Sequence, residues 1–351
     1  LLTADREFSE MENIYLAQMP KFSFSAILDS SKNGFAQKYE KYTNEQFLMR
    51  DSWINIKSLC ETILLKKENN GIIYGGDGYM FDKFTSYDIK RKEKNMEALM
   101  EFGEKHTNTK KTLLIAPSAS AVLKDEMPMG FAGVDQWAEL EELKSVLTPR
   151  GFQYIDVGNA LADAAKNGDQ VYYKTDHHWT TKGAYSAYIA FCNARGLNPA
   201  EYDEILASND FLGTHYSKCK KLGAEKDSIY YYAAPVTEIL VAGKAKNGLY
   251  DFEQLDKRDK YAFFLWGNNG VTEILNENAE RSETIMVIKD SYANCFVPFL
   301  TQNYKAVVVV DLRSLPENLS EVIAKYSPTE ILLNYNIKNI LTDTDLPALK
   351  Y

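Results

Sequence analysis

Apolar runs alternate with amphipathic helical stretches through most of this chain, and that alternation restricts the fold more than any other feature. The runs include "TLLIAP" (112–117), "YIDV" (154–157), "IMVI" (285–288), "AVVVVD" (306–311) and "EILLNYN" (330–336). Between them lie "KNMEALMEFGEKH", "WAELEELKSVLTPRG" closed by Gly151, and "TTKGAYSAYIAFCNARG". Strands alternating with helices argue for an α/β fold with a mostly parallel sheet.

The rhythm is absent at the start. Up to about residue 65, apolar residues fall at helical spacing: Phe35, Tyr39, Tyr42 and Phe47, then Trp53, Ile54 and Ile56. This reads as a helical arm, with Arg50 and Asp51 expected to tie it to the body. Residues 66–351 form the α/β domain. "GIIYGGDGYMF" predicts two short strands around a turn made by Gly75, Gly76 and Gly78. From about 198 to 278 the alternation breaks, which predicts an insertion of irregular and β structure.

Net charge is −9 over 351 residues, which speaks against nucleic acid, because phosphates need a basic surface. The 23 tyrosines and 17 phenylalanines read mainly as core and rim packing, with sugar stacking as the other use. Four cysteines without a CxxC point to neither a zinc ribbon nor a thioredoxin-like site. No apolar run reaches the length of a membrane span. The chain opens "LLTADREF", which fits either a cytoplasmic protein or one whose leader lies outside this sequence.

Two stretches carry chemistry. In "IMVIKDSYANCF" an apolar strand runs into Lys289, Asp290 and Ser291, with a helix expected next and Pro298 making it short, kinked or late. A serine there sits at the rim of an α/β sheet, where helix N-terminal N–H groups suit an oxyanion; the plain alternative is an N-cap. In "KTDHHWTTKGA", Asp176 and His178 can supply the base a serine needs and the carboxylate that orients the base.

The same stretches carry a resemblance. "TDHHWTTKGA" is similar to the signature of the bacterial DHHW proteins, relatives of the alginate O-acetylation proteins AlgX and AlgJ. "FSEMENIYLAQMPKFS", "YTNEQFLMRDSW", "GGDGYMF", "FLGTHYS" and "VIKDSYANCF" extend it over nearly the whole chain. It implies an SGNH-hydrolase-like, flavodoxin-like sheet, circularly permuted: Ser291 follows the first strand, "AVVVVD" is the second, "EILLNYN" the third, "TLLIAP" the fourth and "YIDV" the fifth. It also implies a Ser291–His178–Asp176 triad, an oxyanion held by the Tyr292 amide and an Asn334 or Asn336 side chain, and no cofactor. Lys289 stands where such proteins carry a glycine. The implied activity is an extracytoplasmic O-acetyltransferase or acetylesterase on a cell-surface or exported polysaccharide. The implied acyl-donor partner is a membrane-bound O-acyltransferase, and the implied membrane contact is a leader or anchor only.

Rival readings remain open. Asp176, His177 and His178 are good metal-ligand types, but adjacent side chains rarely converge on one ion. DHH phosphoesterases need several separated aspartates, and only Asp77 lies in a suitable early loop. DHHC palmitoyltransferases need a cysteine where Trp179 stands. A non-catalytic glycan-binding or assembly protein on the same scaffold is the main alternative. Trp179 is expected to pack beneath the motif, His215 to line the cleft or satisfy a loop, and His106 to be a solvated cation at a helix end. His177 has no assigned role.

Overall fold

The apolar runs become the strands of one eight-stranded sheet: β1 (Lys110–Ala116), β2 (Phe152–Ile155), β3 (Glu238–Val241), β4 (Lys244–Ala245), β5 (Val271–Leu275), β6 (Arg281–Lys289), β7 (Tyr304–Val310) and β8 (Glu330–Asn336). In this computed structural model residues 4–12, 14–29, 31 and 34–351 are described; residues 1–3, 13, 30, 32 and 33, all within the expected arm, lie outside them. The spatial order is β4-β3-β5-β7-β6-β8-β1-β2. From β7 to β2 every pairing is parallel, while β5, β3 and β4 extend the β7 edge antiparallel.

The five parallel strands therefore stand in the order second, first, third, fourth, fifth. That is the doubly wound arrangement expected from the sequence, in which ligands collect at the switch point between first and third strands. Here the switch lies between β6 and β8, where Lys289 pairs with Asn334. Next to it, Asn336 of β8 pairs with Ala116 of β1.

Helices cover both faces, because the strand side chains are apolar on both. Helices α1 (Phe35–Glu45) and α2 (Arg50–Ile63) form the arm. On one face of the sheet, α3 (Ile89–Lys105) and α4 (Gln136–Leu147) pack with Met286, Ile288, Ile331 and Leu333. On the other, α5 (Val157–Lys166) and α6 (Thr181–Arg195) pack with Ile285, Val287 and Leu332. α7 (Leu319–Tyr326) and α8 (Ile337–Thr342) return to the first face. Burying such runs on both sides stabilises the fold by about 25 cal/mol per Å² of apolar surface.

The glycine-rich stretch forms the expected two short strands, Ile72–Tyr74 and Met80–Asp82, with Asp77 joining Gly78 at positive φ in the turn. Several other local expectations need amendment. The 198–278 stretch divides. Ile205–Phe211 and Asp227–Tyr231 form a separate antiparallel pair, whereas β3, β4 and β5 belong to the main sheet. Arg50 and Asp51 do not reach the body: they pair with Glu12 and Arg6 inside the arm. Trp53 is exposed. The arm is held instead through Ser58, whose hydroxyl donates to the carbonyls of Cys219 and Lys220. His106 is not a cation either. Burial lowers its pKa, with Lys105 and Lys111 adding to the effect, and the Lys111 ammonium takes the helix-end role by donating to the His106 carbonyl. All four cysteines are free.

Candidate active site

Asp176, His178 and Ser291 meet in one hydrogen-bonded chain although 113 residues separate the histidine from the serine. His178 Nδ1 lies 2.6 Å from Asp176 Oδ1, and His178 Nε2 lies 2.7 Å from Ser291 Oγ. Asp176 and His178 are buried, and Ser291 is 9% exposed. The DHH stretch occupies a loop between α5 and α6. That loop is built to hold its shape. The buried Asp227 carboxylate accepts from the Lys174 and Thr175 N–H groups and from the Thr175 hydroxyl, so the approach to Asp176 is fixed from outside the loop.

Asp176 has four donors. Oδ1 accepts from the His178 N–H and from Nδ1, and Oδ2 accepts from the Thr214 N–H and hydroxyl. Burial alone would raise this carboxyl, but His177, His178 and the Thr214 amide hold it well below the usual carboxylate range. An ionised Asp176 makes Nδ1 of His178 the protonated ring nitrogen. Nε2 is then an acceptor facing the serine hydroxyl, the tautomer a general base requires.

His177 can be assigned by the same donor accounting. Thr214 Oγ1 donates its single proton to Asp176, so His177 Nδ1, 2.7 Å away, must donate to Thr214 Oγ1. Partial burial, with neighbouring His178, lowers His177, so its Nε2 is a neutral acceptor at ordinary pH. The three ligand-type groups come within 4.8 Å of one another. Both Asp176 oxygens and the inward nitrogens of both histidines are already committed to hydrogen bonds, which makes the cluster a poor cage for a metal.

The strand-end half of the site is equally constrained. Asp290 caps the turn after β6: Oδ1 accepts from the Tyr292 N–H at 2.8 Å, and Oδ2 from the Asn336 N–H and Asn339 Nδ2, both at 2.7 Å. This carboxylate laces the ends of β6 and β8 together under Ser291. Its hydrogen-bond partners are neutral donors, burial outweighs them and the charge of Arg313, and its pKa is raised. The expected helix after Ser291 is a 3₁₀ segment, Ser291–Cys295, followed by one turn, Val297–Leu300, with Pro298 in it. The helix-dipole argument for an oxyanion therefore loses its basis.

Two of the expected oxyanion donors are already engaged. The Tyr292 amide is engaged by Asp290. The Asn336 side-chain amide donates to the Ala116 carbonyl, and its oxygen caps α8. Asn334 is fully buried, with neither side-chain polar atom paired. Trp179 does pack beneath the motif: it is fully buried and donates to the Tyr292 carbonyl at 2.8 Å. His215 lines the cleft with both ring nitrogens unpaired. Asp77 pairs with Lys174, which it shares with Glu225.

Some residues carry no local signal. Tyr261 stacks flat on His178, with centroids 3.7 Å apart and planes 6° from parallel, and its hydroxyl donates to the Ser291 carbonyl. Gly213 is needed for space: a Cβ there would come within 2.2 Å of the Asp176 side chain. Lys289, replacing a glycine, is locked under the site by Asp311 and Asn268. "FLGTHYS" pointed at this segment, but through His215 rather than Gly213 and Thr214.

Comparison with known proteins bears out the resemblance. Residues 156–310 match the family model of DHHW proteins, and residues 72–204 match that of an SGNH hydrolase-like domain, acetyltransferase AlgX. A DHHW family protein from Eubacterium siraeum superposes with a TM-score of 0.68 at 21% identity, covering 81% of this chain and 96% of that one. Bacillus cereus PatB1, solved with a sulfonyl adduct, gives 0.64 at 20% identity over 80% of this chain and 100% of its own. The O-acetyltransferase domain of Pseudomonas putida AlgJ gives 0.53 at 14% identity, covering 80% of this chain and 99% of that one. These likenesses establish the SGNH-like fold. No curated protein matches the sequence.

Proposed function

We propose that this chain is an extracytoplasmic acyl-ester enzyme, an O-acetyltransferase or acetylesterase acting on a cell-surface or exported polysaccharide. The observation that carries the reading is the continuous hydrogen-bonded chain from Ser291 through His178 to Asp176. Ser291 Oγ attacks the acetyl carbonyl while His178 Nε2 takes its proton. Asp176 keeps Nδ1 protonated and stabilises the imidazolium that forms. His178 then returns the proton to the departing alcohol oxygen, leaving acetyl on Ser291. Water or a sugar hydroxyl, deprotonated by the same nitrogen, takes the acetyl group and restores the serine. Family matches to an acetyltransferase and the solved neighbours support the class of reaction. A membrane-bound acyl donor and a location outside the cytoplasm belong to this proposal. No helix among the described residues is long and apolar enough to cross a membrane.

One observation favours a second reading, a glycan-binding or assembly protein on the same scaffold. Two of the expected oxyanion donors, the Tyr292 amide and the Asn336 side chain, already have acceptors. A sulfonyl fluoride separates the two readings. Stoichiometric labelling of Ser291, together with release of acetate from an acetylated sugar, is expected of the enzyme. Glycan binding without labelling is expected of the scaffold.

A further inference from the structure

We propose that the hollow beside the Ser291 centre binds an anionic substituent of the substrate, a sugar carboxylate or phosphate, through Lys218, Lys338 and His215. The inference rests on the enzymatic reading for its kinetics and on the hollow itself for its chemistry.

The hollow, about 290 Å³, begins at His177 and Tyr292, the residues flanking His178 and Ser291 in sequence. Its far wall carries Lys218 from the short helix Thr214–Cys219 and Lys338 from α8. Both ammonium groups lean on one carboxylate, Asp82, with Lys218 3.3 Å from Oδ1 and Lys338 on Oδ2. Asp82 is the sole acid among the described lining residues. Burial would raise its pKa, but the two lysines overcome that and hold it ionised. Two cations against one anion leave a net positive charge, in a chain whose net charge is −9.

His215 supplies the second, independent observation. It is 3% exposed and lines the hollow, yet neither ring nitrogen has a hydrogen-bond partner. Burial lowers it to about 4, so it is a neutral imidazole carrying one N–H. A buried donor left unpaired is costly, and polar groups in that state are normally satisfied by something. The Ser120 hydroxyl lies on the same wall. Two ammonium groups, an imidazole N–H and a hydroxyl on one hollow match the oxygens of a carboxylate or phosphate. A cation would meet two lysines there, and a neutral sugar would leave their excess charge unmatched.

The hollow also continues outward. A second cavity of about 390 Å³ shares Asp82, Phe84 and Ser120 with it and is walled by Trp137 and Phe131. Trp137 is 37% exposed, as a ring that stacks on a neighbouring sugar would be. The groove thus leads from the serine to the charged subsite and then to an aromatic one.

The test compares kcat/KM for three esters: acetylated methyl glucuronide, acetylated glucose 6-phosphate and acetylated methyl glucoside. The wild type is expected to prefer one of the charged esters over the neutral one by about tenfold or more, and the preferred one distinguishes carboxylate from phosphate. The double variant Lys218→Met/Lys338→Met is expected to bring that ratio close to one, and Lys218→Arg/Lys338→Arg to keep it. Equal use of all three by the wild type, or a preference that survives in the Met variant, overturns the subsite. If no ester is turned over, the enzymatic reading has failed, and calorimetry with methyl glucuronide and glucose 6-phosphate judges the hollow alone. Binding to the wild type that is lost in the Met variant supports it, and no binding to the wild type overturns it.

Discussion

Two buried aspartates flank Ser291, one in the loop that presents His178 and one beside it in the chain, and they are held in opposite ways. Asp176, in the loop before α6, accepts from the His178 ring and N–H and from Thr214, and its carboxyl is pulled well below the usual range. Asp290, at the end of β6, accepts only from amides, and burial pushes its carboxyl up. Both are buried and both are fully hydrogen-bonded. At Asp290 three neutral donors and the charge of Arg313 do not offset burial, whereas at Asp176 the two histidines and Thr214 do. Asp176 is placed to work with a proton moving on His178. Asp290 is placed to hold backbone.

Several experiments can break or sharpen that contrast. The largest effect is expected from the group both carboxylates serve: Ser291→Ala should lower ester turnover by at least about 10⁴-fold. It should also abolish sulfonyl labelling while leaving the melting temperature near the wild type. Asp176→Asn should lower kcat by roughly 10³–10⁴-fold with little change in KM, because the His178 tautomer is lost. An activity near wild type would remove Asp176 from the mechanism. Asp290→Asn should act chiefly on folding, costing about 1–3 kcal/mol in urea unfolding, since its amide would face three donors. Thr214→Val removes one donor to Asp176 and the acceptor of His177, and should cost about tenfold in kcat.

The pH dependence gives the subtlest test, because the two signs differ. The lowered Asp176 contributes stability that is present above the ordinary carboxyl value of about 4 and is lost as pH falls through its folded value. The raised Asp290 contributes stability that is full below about 4 and is lost as pH rises through its folded value. The unfolding free-energy gap between wild type and Asp176→Asn should therefore shrink on acidification. The corresponding gap for Asp290→Asn should widen. Parallel trends would show that the two carboxylates share one environment.

Much of this arrangement was legible before the fold was known. The apolar runs "AVVVVD" and "EILLNYN" announce buried strands, and their assignment as second and third strands agrees with the sheet order. The spacing of Asp176 and His178, and Ser291 after an apolar run, drew attention to residues that the structure brings together. What escaped reading depends on contacts across distant segments. Tyr261 lies in an aromatic-rich stretch with nothing to mark it, and it matters because the chain folds it flat onto His178. Gly213 matters through the space it leaves beside Asp176. The helix after Ser291 is short and late, as Pro298 announced, but the 3₁₀ segment that precedes it under the Asp290 cap carried no signal. Of the two asparagines considered for an oxyanion, Asn336 is taken up by the Ala116 carbonyl, a strand-end contact that no local pattern announces.

The sheet order has a consequence for how such a chain is made. β8 lies in the middle of the sheet, flanked by β6 and β1, yet it ends at Asn336 of 351 residues. β1 is therefore synthesised more than two hundred residues before its inner neighbour leaves the ribosome. Throughout that interval the nascent chain carries an apolar strand with an open edge, the kind of surface that pairs with other chains. Growth of the polypeptide adds the keystone last, so a message truncated before β8 leaves two separate half-sheets, with the loop of Asp176 and His178 on one side and Ser291 on the other.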